Sequence, residues 1–105
     1  MHTLINLTPH VLNEVTTNLT IPPSGIVARL DSNSTLVNTV NDIPIYAKQF
    51  GEIQNLPDSV PKTCYIVSGI MLDVAKQQGR TDCLSPGELV RDSKGKPIGC
   101  KGFVS

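Results

Sequence analysis

Apolar positions along the chain come in short runs broken by Asn, Thr, Pro and Gly, and the breaks carry as much information as the runs. Residues 3–7, Thr-Leu-Ile-Asn-Leu, read as a first strand. Thr8-Pro9-His10 interrupts it, because Pro9 has no N–H for a ladder and holds Thr8 extended. Residues 11–16 resume with Val11 and Val15 apolar around a polar Asn13, which predicts a second strand. Ile21-Pro22-Pro23-Ser24-Gly25 is turn chemistry. Residues 25–30 then alternate as Ile26, Ala28 and Leu30 against Val27 and Arg29, the signature of a half-buried strand.

Asp31-Ser32-Asn33-Ser34 reads as another turn. Residues 35–40 and 43–48 are rich in β-branched side chains and flank Asn41-Asp42, which predicts a hairpin. Pro44 places its second arm at an edge. Residues 51–61 hold Gly51, Pro57 and Pro61 around Leu56 and read as a loop. Thr63-Cys64-Tyr65-Ile66-Val67 is a continuous run of the kind found in strands buried on both faces.

A helix over 69–78 is the clearest local signal. Ser68 is its N-cap, Asp73 complements the positive end, and Gly79 stands at the C′ position. Ile70, Met71, Val74 and Ala75 form its apolar stripe. Leu84-Ser85-Pro86-Gly87 then reads as a turn into a strand at 88–92, and Ser93-Lys94-Gly95 turns the chain back into a strand at 97–104. The sum is one α+β domain over 1–105. It has six to eight short, mostly antiparallel strands, compatible with a partly closed barrel, and one main helix.

Composition narrows the function classes. Aromatic residues are 4% and Trp is absent, so the core is aliphatic and β-branched. Nine basic and nine acidic side chains cancel, which removes the long-range field that non-specific nucleic-acid binding needs. No apolar run approaches the ~20 residues of a membrane span. Residues 1–4 lack the charged and apolar regions of a signal peptide. Cys64, Cys83 and Cys100 are odd in number and widely spaced, with no Cys-x-x-Cys, so they read as free thiols of a reducing cytoplasm rather than disulfides or zinc ligands. No metal or cofactor is called for.

Five stretches give the chain a resemblance. They are Asn6-Leu-Thr-Pro-His10; Ile21-Pro-Pro-Ser-Gly25 with Ala28-Arg29; Gly51-Glu52 with Leu56-Pro57; Tyr65-Ile-Val-Ser68; and Arg80-Thr-Asp-Cys-Leu-Ser-Pro-Gly87, leading to Val90-Arg-Asp92 and Gly99-Cys100. In this order they resemble an uncharacterised family of small bacteriophage and prophage proteins with an N-terminal Asn-Leu-Thr-Pro-His motif. The resemblance implies a phage setting and a host cytoplasm, and it implies no mechanism.

The candidate chemistry is dispersed. His10, beside a strand break, is a general base or hydrogen-bond donor, set against a plain turn residue. Ser68 and Gly69 open a helix after a buried strand, where unpaired N–H groups suit an anion, set against an ordinary cap. Arg29, Arg80 and Arg91 suit phosphates, set against surface pairs of Arg80 with Asp82 and Arg91 with Asp92. Asn6 completes the ligand-binding set. Glu52 and Asp82 are acid/base candidates with His10, and Cys83 is the one thiol near charged groups.

Three readings follow. The first is a binding protein for a nucleotide-like or other small anion, with a counter-defence role as its biological form. The second is a small hydrolase or transferase acting on a phosphorylated or ribosyl substrate. The third is a protein–protein adaptor or inhibitor of a host factor. A homodimer is compatible with all three, and no sequence feature selects it.

Overall fold

The computed structural model describes residues 2–105. Among them the chain forms eight strands and one helix: β1 (Thr3–Asn6), β2 (Leu12–Glu14), β3 (Leu19–Ile21), β4 (Arg29–Val40), β5 (Ile43–Gln54), β6 (Thr63–Ile66), α1 (Gly69–Gln77), β7 (Cys83–Arg91) and β8 (Pro97–Val104). The fold is α+β and β-rich, as the apolar pattern predicts. Six strands make one sheet in the order β1-β6-β7-β8-β2-β3, and β4 and β5 pair only with each other. Three pairings are antiparallel, β2–β3, β4–β5 and β7–β8, and three run parallel, β1–β6, β6–β7 and β2–β8, so the six-stranded sheet is mixed rather than mostly antiparallel.

The sheet curls, and its two edge strands meet at one side chain. Asn6, at the end of β1, is buried and donates from Nδ2 to the Ile21 carbonyl at the end of β3 (3.2 Å) and to the His10 carbonyl (2.7 Å). Its Oδ1 accepts from the Thr8 backbone N–H (2.9 Å) and the Thr8 hydroxyl (2.6 Å). Ser24 donates its N–H and its hydroxyl to the Asn6 carbonyl. Every polar atom of a buried amide is thereby paired, which burial requires. This clasp gives the six-stranded sheet its partly closed, barrel-like form.

The core lies between α1 and the β1-β6-β7 end of the sheet. Leu7, Ala28, Tyr65, Val67, Leu72, Ala75 and Cys83 are buried there, with Ile5, Ile53, Leu56 and Met71 packed against them. Ser68 caps α1 and accepts from the Met71 N–H. The buried face is Leu72 and Ala75 flanked by Met71 and Val74, whereas Ile70 is 60% exposed. The predicted stripe was thus rotated by one position: Leu72, and not Ile70, faces the sheet. Asp73 lies beyond the first turn, which holds no acidic residue, so it does not complement the positive end there.

Several boundaries moved for one reason, that pairing outweighs local composition. Residues 31–34 are not a turn but lie within β4, where Ser32, Asn33 and Ser34 stand opposite Phe50, Gln49 and Lys48. Gly51 to Gln54 belong to β5 rather than to a loop. The strand expected at 25–30 begins only at Arg29. Leu84 to Gly87 are ladder, not turn, since β7 runs from Cys83. Gly87 is required there, because a Cβ would stand 2.3 Å from the Lys101 carbonyl oxygen of β8.

The Asn41-Asp42 hairpin turn forms as expected, with both residues at positive φ and Val40 opposite Ile43. Its arms are far longer than the sequence suggests, at 12 residues each. Among the described residues the base is anchored through half-buried Leu30 and Ile53. From Asp31 to Tyr46 every residue is exposed, so the hairpin projects from the body as a two-stranded arm.

Candidate functional site

The predicted site residues fall into separate neighbourhoods. Arg80 and Asp82 sit between α1 and β7 and form a two-pronged ion pair, Nε–Oδ1 2.9 Å and Nη2–Oδ2 2.8 Å. Arg80 Nη2 also donates to the Pro57 carbonyl (2.9 Å), and its guanidinium lies over the Tyr65 ring, 5.9 Å from the centroid. Such stacking suits a guanidinium better than an ammonium. Tyr65 in turn donates its hydroxyl to the Asp58 carbonyl (3.1 Å). Together these contacts pin the segment between β5 and β6 to the sheet.

The Arg80 hydrogen bond, and then its charge, hold the Asp82 carboxyl below its usual range; the same bond raises Arg80 further. A carboxylate so held is a poor proton donor. Cys83 is buried, and burial with the Asp82 charge pushes its thiol up, away from the thiolate a nucleophile needs. That removes the sequence case for Cys83 as a reactive thiol.

Arg80 also borders a cleft of about 410 Å³ with Glu52, Ile53, Leu56 and Gln78. Two of the predicted residues, Glu52 and Arg80, therefore border one cleft. His10 does not join them. It is exposed at the rim of an apolar groove of about 330 Å³ between β2 and the β7–β8 hairpin, lined by Val11, Leu12, Leu89 and Ile98 among others. β2 and β8 share the register pair Glu14 with Cys100 and stay close beyond it, where Asn13 Nδ2 donates to the Ile98 carbonyl (3.5 Å).

Arg29 is exposed beside Gly25, Ile26, Val27 and Asn55 in a third hollow. Arg91 donates to the Gly95 carbonyl (2.9 Å) across the β7–β8 turn, and Asp92 accepts the N–H groups of Lys94 and Lys96, so the expected Arg91–Asp92 pairing gives way to turn bonds. Ser68 acts as the helix cap, with Gly69 exposed after it. The three arginines thus border different surfaces, and Asn6 serves the clasp.

Two features escaped the sequence reading. Glu14 is buried at the end of β2, and its carboxylate accepts the N–H groups of Thr16 (3.1 Å), Thr17 (2.8 Å) and Gly102 (2.7 Å) and the hydroxyls of Thr16 and Thr17. These donors, led by Gly102, hold it down at about 2. The signal was legible as a Glu followed by two hydroxyl residues, the chemistry of side-chain turns. The second feature is the arm. Leu36, Val37, Val40, Ile43, Ile45 and Tyr46 on it are each 41–60% exposed.

Register sorts those side chains. Leu36 stands opposite Tyr46 and Thr39 opposite Pro44, with Val37 at the bulge between them. Val40 opposite Ile43, and Asn38 opposite Ile45, occupy the other face. Both faces of the ribbon are apolar. Between Ser32 and Val40, β4 carries neither a charge nor a proline, the usual protections of a free edge.

Among the described residues no helix is long and apolar enough to cross a membrane, and no three His, Cys, Asp or Glu side chains gather as a metal site. Compared with known protein families, with curated proteins and with solved structures, the chain finds no match.

Proposed function

We propose that this chain is a binding protein without catalysis of its own, of phage or prophage type, and that it works in the host cytoplasm as an adaptor or inhibitor through the β4–β5 arm. One observation carries the reading: a projecting ribbon that shows aliphatic and aromatic side chains to solvent on both faces. A lone two-stranded hairpin is marginal in water. Contiguous exposed apolar surface of this kind marks a protein contact site. His10 and Glu52, two of the acid/base candidates, border different cavities.

The test is photo-cross-linking in producing cells, with a photoactivatable phenylalanine analogue at Val37 or Tyr46 and a control at exposed Lys94. Protein adducts from the arm and none from Lys94 are expected. An arm that yields no adduct overturns the reading.

A second reading is favoured by the cleft at Arg80. Nε and Nη2 of the guanidinium are committed to Asp82 and Pro57, which leaves Nη1 for an anionic group beside the Gln78 amide, with Glu52 as an acceptor for a ligand hydroxyl. A small nucleotide-like anion suits those donors. Thermal shift against a nucleotide panel tests it, because a ligand of the native state must raise Tm. No shift with any member sinks it.

A further inference from the structure

We infer that the occupant of the arm is a second copy of this chain, each arm seated in the apolar groove beside His10 of the other copy. The inference rests on the reading of the arm as a protein-binding surface. Three observations point to a second copy.

The first is area. The free part of β4, Ser32 to Val40, extends about 30 Å at ~3.4 Å per residue, and two strands ~4.8 Å apart make a ribbon about 10 Å wide. One face then covers about 300 Å², so one arm on one flat surface buries roughly 600 Å² in all. Stable interfaces need about 1,000 Å² or more. A two-fold axis applies the same arm-to-body contact twice and brings the total to about 1,200 Å². Packing arm face on arm face gives only half of that.

The second is that this chain carries its own receptor. Val11, Leu89 and Ile98 border the groove and are 49–53% exposed, as apolar as the arm itself. In the fold the arm packs on α1 through the base of β5 rather than in that groove. A contact between two different patches of one chain, repeated around a two-fold, closes into a dimer.

The third is charge. From Ser32 to Ala47 the one charged residue is Asp42, at the arm's tip beside Val40 and Ile43. The one basic side chain lining the groove is His10, beside Val11 and Leu12. An imidazole is the hydrogen-bond donor a buried carboxylate needs. The tip and the groove therefore match in apolar character and in pairing the arm's one charged residue with the groove's one basic side chain.

Sedimentation velocity of the purified full chain tests the inference. The wild type should sediment as a dimer in the micromolar range. Ile43→Glu on the arm, and Leu89→Glu or Val11→Glu in the groove, should each weaken association about tenfold or more, as loss of a buried apolar anchor does. All three positions are exposed, so unchanged circular dichroism and Tm check that each monomer is intact. Mixing Ile43→Cys with Ile98→Cys should trap a disulfide between different copies.

A wild-type monomer overturns the inference. So does a dimer that Ile43→Glu breaks while both groove variants leave it intact, which is arm-on-arm packing. If the arm's photo-adducts are all with foreign proteins while the wild type is monomeric, the second copy is wrong and the arm reading stands. If the arm gives no adducts, both fail.

Discussion

At the scale of single residues, the polar side chains that look functional in the sequence are mostly fasteners, and the sharpest fastener is one the sequence reading passed over. Glu14 closes the β2–β3 turn with one carboxylate and ties it to Gly102 of β8. Its pKa falls from the ordinary 4.5 to about 2 in the fold. A folded pKa below the unfolded one means that the unfolded chain binds the proton more readily. The stability from this group is therefore complete above about pH 4.5 and is lost as pH falls toward 2. Glu14→Gln should lower Tm at pH 7 and flatten the loss of Tm between pH 4.5 and 2. Thermal melts of both proteins across that range check it, and parallel acid limbs would assign the stability elsewhere. Asn6 is a second fastener. Its place in the Asn-Leu-Thr-Pro-His stretch drew attention as a ligand residue, yet its Nδ2 and Oδ1 are both spent on the clasp. From sequence the two roles look alike, because a buried amide and a binding amide use the same donors.

At the scale of elements, legibility followed how local the cause is. The cap of α1 and the Asn41-Asp42 turn depend on neighbours in sequence, and both form as read. The cap bond is long, 3.4 Å from the Met71 N–H to the Ser68 hydroxyl, and exposed. Ser68→Ala should therefore cost about 1 kcal/mol, the usual value of such a cap, and leave binding of any ligand unchanged. Urea unfolding measures the first, and a much larger loss would show that Ser68 does more than cap. The strand ends were less legible because their causes are distant. Ser32, Asn33 and Ser34 have turn composition, and they are strand because β5 lies beside them. Leu84 to Gly87 have turn composition too, and β8 makes them ladder. Likewise Ile70 and Leu72 are both apolar, and the position of the sheet alone decides which one is buried.

At the scale of the whole molecule, the residues divide into a body that holds the core and an arm that does not. The buried cluster draws on β1, β6, α1, β7 and the base of β5, and the outer arm contributes nothing to it. Local opening costs little where few apolar contacts are lost. In the monomer the amides from Thr35 to Tyr46 should exchange hydrogen far faster than those of Tyr65 to Val67, which lie in the buried β6 segment. Association changes that order. Partner binding stabilises only the closed arm, so protection there must rise with the logarithm of protein concentration once copies pair. The body amides, already limited by global unfolding, should move much less. Hydrogen exchange followed by mass spectrometry at low and high protein concentration reads both segments in one experiment. Arm protection that climbs with concentration and collapses in Leu89→Glu ties the arm of one copy to the groove of another. Equal protection at all concentrations would make the ribbon self-sufficient, and its apolar faces would then need a different explanation.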